Sequence, residues 1–216
     1  MPQSASRIPQ PAVSRLSIYL RCLRSLVEQG VQTISSARMG QHCGVPHHQI
    51  RKDLSYLGEF GKPGIGYDVK HLLERLTETM QLNREHRVVI VGAGNLGAAL
   101  AGYAGFQRSP FRIVGIFDNN LSKIGRRLWE LEIFDIHQIE QINRHLRADI
   151  GIIAVPSDSA QEVADALVAA GIRAVLNFAP ARVHVPAEIA LRDVDLTREL
   201  EILAFHINRV PEAAAS

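Results

Sequence analysis

Val88-Val89-Ile90-Val91-Gly92-Ala93-Gly94-Asn95-Leu96-Gly97 joins a run of four β-branched residues directly to three spaced glycines. An unbroken β-branched run reads as a parallel strand buried on both faces. Gly92 suits the tight turn after it, Gly94 lets backbone approach a pyrophosphate, and Gly97 lets the next helix pack close to the strand. The start of that helix offers free N–H groups and the positive end of a dipole to an anion. Asp118 follows 21 residues after Gly97, closing the next apolar run Ile113-Val114-Gly115-Ile116-Phe117. A carboxylate there accepts the two hydroxyls of an adenosine ribose and repels a 2′-phosphate, which selects NAD(H). Arg126 and Arg127 keep an NADP(H) alternative open, since a guanidinium can hold that phosphate.

Downstream, Ile150-Gly151-Ile152-Ile153-Ala154-Val155 and Ala174-Val175-Leu176-Asn177-Phe178 are further strand-like runs. Helical stretches lie between them, such as Ala160 to Ala170 with its stop at Gly171. Alternating strands and helices imply an α/β, Rossmann-type doubly wound parallel sheet, expected over residues 87–195.

Upstream of Arg87 the period is helical. After an arm with three prolines in residues 1–11, Leu16, Leu20, Leu23 and Val27 mark a helix from Val13 to Gln29, stopped by Gly30. Ser35 and Ser36 suit the cap of a short helix ending before Gly44. Pro46 suits the first turn of another, reaching about Leu57. Two helices joined by a tight glycine turn after a first helix form a helix-turn-helix. The stretch from Gly58 to Tyr67 is too rich in glycine for a helix and reads as a hairpin wing, followed by an amphipathic helix from Val69 to Leu82. A winged helix-turn-helix domain is therefore expected over residues 1–82.

Charge distribution agrees. Residues 1–82 carry 10 Lys/Arg against 6 Asp/Glu, while the remainder carries 14 against 16, so the first part faces a polyanion more readily than the second. On the expected recognition helix, Gln49-Ile50-Arg51-Lys52-Asp53-Leu54-Ser55-Tyr56 places Gln49, Lys52 and Tyr56 roughly on one face and turns Ile50 and Leu54 to the core. Arg51 and Lys52 suit guanine edges or phosphates, Gln49 suits adenine, and Lys62 on the wing suits the flanking backbone.

These stretches, together with Gly64-Ile65-Gly66-Tyr67 and Leu176-Asn177-Phe178-Ala179-Pro180, closely resemble the bacterial Rex family of redox-sensing repressors from about Ile8 to Phe205. The resemblance implies a homodimer on pseudo-palindromic double-stranded operator DNA, released when NADH rises and held in the binding state by NAD+. It implies DNA contacts from Gln49, Arg51, Lys52, Ser55, Tyr56, Lys62, Gly64 and Tyr67. It places Val155, Pro156 and the segment Asn177, Phe178 to Pro180 near the nicotinamide. It also implies a switch network of Arg21, Tyr103 and Asp195, the last from the other subunit, and a C-terminal helix over 196–210 exchanged between subunits. Two positions depart from the family: Leu196 stands where some relatives carry an aromatic residue, and Ala104 replaces the proline of the usual Tyr-Pro-Gly-Phe. The stripe Leu196, Leu200, Leu203, Ile207, widened by Ile202 and Phe205, independently asks for a partner surface. Docking on its own subunit stays open.

A small NAD-dependent oxidoreductase is the rival reading. Against it, the chain leaves no room for a substrate domain, and none of its nine histidines stands out as an acid–base partner; His184 and His206 fall in loop and terminal-helix contexts. A non-specific DNA packager is disfavoured by a net charge of only +2. Cys22 and Cys43 fall on different helices, which suits two small core residues or a thiol switch. His42, Cys43, His47 and His48 lack zinc-finger spacing, so no metal is expected. Without a membrane-length apolar run or a secretory leader pattern, a cytoplasmic protein is expected.

Overall fold

The computed structural model describes residues 8–58, 61–62, 65–107 and 109–207. The chain divides into two compact units after Arg84. In the first, α1 spans Gln10–Glu28, β1 Thr33–Ile34, α2 Ser36–Cys43, α3 His47–Ser55, β2 Gly61–Lys62, β3 Gly66–Asp68 and α4 Val69–Thr79. Helix α1 starts ahead of the expected Val13 because a proline in the first helical turn gives up no hydrogen bond. Ser35 Oγ caps α2 by accepting from the Arg38 N–H at 3.2 Å, and Gly44, at φ +65°, closes that helix. Asp68 caps α4 in the same manner through the His71 N–H.

The small sheet is antiparallel in the order β1-β3-β2 and supplies the wing. Leu16, Tyr19, Leu23, Met39, Ile50, Leu54, Leu72 and Leu76 form the core beneath it. Helices α1, α2 and α3 with the β2–β3 hairpin are thus those of a winged helix-turn-helix.

The second unit contains β4 His86–Val91, α5 Asn95–Ala101, α6 Ala104–Gln107, β5 Phe111–Asp118, β6 Arg127–Leu128, β7 Leu131–Asp135, α7 Ile139–Leu146, β8 Ile150–Ile153, α8 Ala160–Ala169, β9 Ala174–Asn177, β10 Ala190–Asp193 and α9 Leu196–Ile207. Its sheet runs β10-β9-β8-β4-β5-β7-β6, parallel except for the β6–β7 hairpin at one edge. Leaving out β6, that is the dinucleotide-binding order, in which the chain reverses direction across the sheet beside its first strand. Val89, Val91, Phe117, Ile153, Leu167 and Val175 pack between the sheet and helices α7 and α8, while Val88, Ile90 and Ile152 face the other side. Both faces of β4 are covered, which is why its sequence shows no alternation.

No helix among the described residues is long and apolar enough to cross a membrane. Helix α9 is different from the rest: Leu196, Leu200, Leu203, Phe205 and Ile207 are all more than half exposed within the single chain.

The β4–α5 turn leaves no room for a side chain at Gly92 or Gly97. Gly92 sits at φ +108°, and an added Cβ would strike the Ala154 carbonyl; one on Gly97 would strike the carbonyl of Gly92. Gly92→Ala is therefore expected to destabilise the second unit by about 1–3 kcal/mol. Denaturant unfolding read from Trp129, the single tryptophan of the chain, checks this; an unchanged midpoint would contradict the turn geometry.

Candidate functional site

At the C-terminal ends of β4, β5 and β8 the sheet opens into a cavity of about 540 Å³. Gly92, Gly94, Asp118, Lys123, Val155 and Pro156 form part of its lining, and Ile139, Val163 and Ala166 supply an apolar wall. A Cβ on Gly94 would meet nothing within 4 Å, so the backbone there faces open space. Asn95 and Leu96 open α5 at the exposed end of the turn, directly after Ala93 and Gly94.

Asp118 ends β5 only 7% exposed. Its Oδ2 accepts from the Ala93 N–H at 2.8 Å and from Lys123 Nζ at 3.0 Å, and its Oδ1 accepts from the Asn120 N–H at 2.8 Å. Burial alone would push this carboxyl up, but the Asn120 N–H, Lys123 and the Ala93 N–H together hold it below the usual carboxylate range. The charge is thereby kept at the cavity and the glycine turn is tied to the second strand. Sequence reasoning found Asp118 from its spacing but missed Lys123. Neither Arg126 nor Arg127 lines the cavity; Arg127 Nη2 instead donates to the Glu130 carbonyl.

Asn177, Phe178 and Pro180 are not among the residues lining this cavity. Asn177 is 1% exposed and its amide is fully engaged. Nδ2 donates to the Ala181 carbonyl and to Asp193 Oδ1, each at 2.9 Å, and Oδ1 accepts from the Ala179 N–H. Its side chain is therefore a clamp that shapes the loop and fastens β10, not a free ligand-binding group. Phe178 is half-buried against the β4 and β8 side chains Ile90 and Ile152. Pro180 borders a separate hollow of about 430 Å³ with Arg182, Asp193, Asp195 and Arg198.

In the first unit, α3 and its C-cap Tyr56 expose Arg51, Lys52, Ser55 and Tyr56 together. Arg51 Nη1 lies 2.8 Å from His47 Nδ1 and 3.4 Å from Ser36 Oγ, and Ser55 Oγ donates to the Lys52 carbonyl. Lys52 projects from the same exposed helix. Tyr67 departs from the expected DNA surface: it is 8% exposed, packed among Ile34, Leu54 and their neighbours, because the alternation along β3 turns it to the core face while Asp68 points out. The Lys62 side chain and the whole of Gly64 lie outside the described residues.

Gln49 is half-buried and its carboxamide is turned to Asp53, a residue that sequence reasoning passed over. Asp53 is fully buried. Arg15 donates to it twice, from Nε to Oδ2 at 2.6 Å and from Nη2 to Oδ1 at 2.8 Å. Tyr19 Oη donates to Oδ2 at 2.7 Å and Gln49 Nε2 to Oδ1 at 2.8 Å. Desolvation would raise the Asp53 carboxyl, yet the donors Arg15, Tyr19 and Gln49 lower it overall, while the Arg15 guanidinium is held more firmly protonated by the same carboxylate. No local pattern signals this, since Arg15 lies 38 residues away.

Of the expected switch residues, Arg21 is exposed on α1 of the first unit. Tyr103 is 58% exposed in the second, stacked edge-on against Phe106. Asp195 caps α9, its Oδ1 accepting from the Arg198 N–H at 3.0 Å. Cys22 and Cys43 are both half-buried beside one core; burial and then the Cys22 thiol push the Cys43 thiol up to about 12, against a reactive thiolate at neutral pH. Among the described residues no His/Cys/Asp/Glu group fits a metal ion.

A winged helix joined to a dinucleotide-type Rossmann unit defines a class: a DNA-binding regulator that carries its own small-molecule sensor. Comparison with known proteins narrows it. The family described as "CoA binding domain" matches residues 83–181, and that described as "Putative DNA-binding protein N-terminus" matches residues 7–55. The redox-sensing transcriptional repressor Rex of Carboxydothermus hydrogenoformans is 49% identical over 203 residues, 94% of this chain and 98% of that protein. A crystal structure of RSP with beta-NAD+ and operator DNA superposes with a TM-score of 0.89 at 37% identity, covering 94% of each chain. RSP with beta-NADH gives 0.85 at 36%, covering 94% of this chain and 96% of that one. The chain belongs to the Rex family of redox-sensing transcriptional repressors.

The Asp53 cluster makes a pH prediction. A carboxyl whose folded pKa lies below its unfolded value of about 3.9 contributes stability that is present above that value and lost as pH falls through the folded one. Helical circular dichroism during urea unfolding is expected to show the wild type losing stability below about pH 4. Asp53→Asn, less stable at neutral pH, should lose less over the same interval. Equal losses would remove Asp53 from the account.

Proposed function

We propose that this repressor holds NAD(H) in the cavity over the Gly92 turn and uses α3 with its wing to bind operator DNA, releasing the DNA when the reduced coenzyme is bound. The observation that carries the reading is the Asp118-tied glycine turn opening onto that cavity, in a chain that spans 94% of a relative crystallised with beta-NAD+ and operator DNA.

The backbone of Gly92, Ala93, Gly94, Asn95 and Leu96 meets the pyrophosphate, and Gly97 keeps α5 close enough for that approach. Asp118 receives the adenosine ribose hydroxyls. Lys123 preserves its ionisation and Val155 with Pro156 closes the neighbouring wall. Asn177 acts at a distance by shaping the loop that carries Phe178 and Pro180. The oxidised nicotinamide is flat and positively charged and the reduced ring neutral, so discrimination belongs to the groups around that ring.

On the DNA side, Arg51 and Lys52 supply cations to base edges and phosphates, with Ser55 and Tyr56 beside them and Lys62 and Gly64 completing the wing. The exposed stripe of α9 is covered by exchange with a second copy, which gives a homodimer and a two-fold, pseudo-palindromic operator. Arg21, Tyr103 and Asp195 of the other subunit form the polar network between coenzyme and DNA-reading heads. No residue is assigned to catalysis, and the protein works in the cytoplasm, where operator DNA lies.

The test is duplex binding at fixed salt, titrated separately with NADH, NAD+ and NADPH. NADH alone is expected to weaken binding strongly, and a hundredfold loss corresponds to a coupling of about 3 kcal/mol. Equal affinity under all three coenzymes would reject the sensor.

A sharper variant separates charge from capping. Asp195→Ala removes both, whereas Asp195→Asn keeps a cap oxygen for the Arg198 N–H and removes only the charge. Asp195→Asn is expected to bind NADH nearly as the wild type does, measured by calorimetry, while NADH-driven release falls by up to about fivefold. Wild-type release from that variant would exclude the charge network.

A further inference from the structure

Asp53 limits what Gln49 offers to a base. A buried ionised carboxylate only accepts hydrogen bonds, so the carboxamide group 2.8 Å from Asp53 Oδ1 has to be the NH2. This settles which way the amide faces on chemical grounds. Arg15 and Tyr19 fill the remaining acceptor positions of Asp53 and keep it ionised and still. The other end of the amide, Gln49 Oε1, has no partner among the described residues. Since no buried side-chain oxygen among them lacks one, that oxygen faces solvent. It does so at the border of the exposed face formed by Arg51, Lys52, Ser55 and Tyr56.

We infer that Asp53 is a positioning residue for base readout, holding Gln49 with Oε1 outward so that it accepts from an exocyclic amino group in the major groove. Adenine N6 and cytosine N4 are donors there, whereas guanine O6 and thymine O4 are acceptors. The locked amide therefore selects adenine or cytosine on one strand and rejects guanine and thymine. A free glutamine, able to turn over, would satisfy either kind of edge. This deepens the proposed operator binding and rests on it.

Because the operator is not specified, the probe is a randomised pool of duplexes, selected by the full-length protein without NADH and followed by affinities for all four bases at each enriched position. Gln49→Ala is expected to flatten the preference at one position of each half-site by about tenfold and leave the others in place. That position should favour adenine or cytosine with wild-type protein. Asp53→Asn, which frees the amide to turn, should flatten the same position. Tyr19→Phe, which removes a donor to Asp53 without touching Gln49, should keep it. Gln49 is half-exposed, so Gln49→Ala decides the matter even if Asp53→Asn fails to fold. Enrichment by the wild type with preferences unaltered by Gln49→Ala, or a Gln49-dependent position favouring guanine or thymine, overturns the assignment alone. No enrichment of any duplex by the wild type would overturn the DNA-binding reading itself.

Discussion

The second unit is organised around the place where β4 runs out of chain that can carry a side chain. The Gly92 N–H donates to the Phe117 carbonyl at 2.7 Å, and the Ala154 N–H donates to the Val91 carbonyl at 2.8 Å, so three parallel strands end in register. A Cβ at Gly92 would break that register by meeting Ala154. The reversal of strand order beside β4 then leaves a crevice that neither flanking helix fills. The cavity is thus a consequence of topology plus one backbone conformation, and the side chains around it only tune what enters.

Each unit uses the same device to fix its working surface: a buried carboxylate surrounded by donors. Burying an ion costs several kcal/mol unless its oxygens are fully served. Asp118 is served by two backbone N–H groups and Lys123, and Asp53 by Arg15, Tyr19 and Gln49. In both cases at least one donor belongs to the functional element itself, the glycine turn in one unit and the recognition helix in the other. Such an arrangement is weak evidence for added stability and better understood as a constraint on geometry, because removing any one donor leaves the charge underserved.

The strands β4, β5, β8 and β9 were legible because both-face burial writes continuous apolar runs, and Asp118 because dinucleotide folds space it at a fixed interval. The short β6–β7 hairpin and β10 were not, since Arg127-Leu128 and Ala190-Leu191-Arg192-Asp193 carry no periodic signature. The candidate sites divide in the same way. Positions defined by local period, such as exposed Arg51 and Lys52, fell where the helix phase put them. Positions defined by distant partners did not: Asp53 meets Arg15 across two helices, Asn177 meets Asp193 across two strands, and Tyr67 turns inward onto a core built by Ile34 and Leu54 from other elements.

Coupling between the two proposed sites requires energy that the polar network alone does not supply. A hundredfold change in DNA affinity needs about 3 kcal/mol, whereas one exposed ion pair such as Arg21 with Asp195 contributes about 0–1 kcal/mol. Burying a single leucine side chain contributes about 1.5–3 kcal/mol. Helix α9 carries Leu196, Leu200 and Leu203, each more than half exposed in the single chain, and Asp195 caps that same helix. Covering these side chains in the proposed dimer is therefore a larger reserve of energy than any one exposed ion pair.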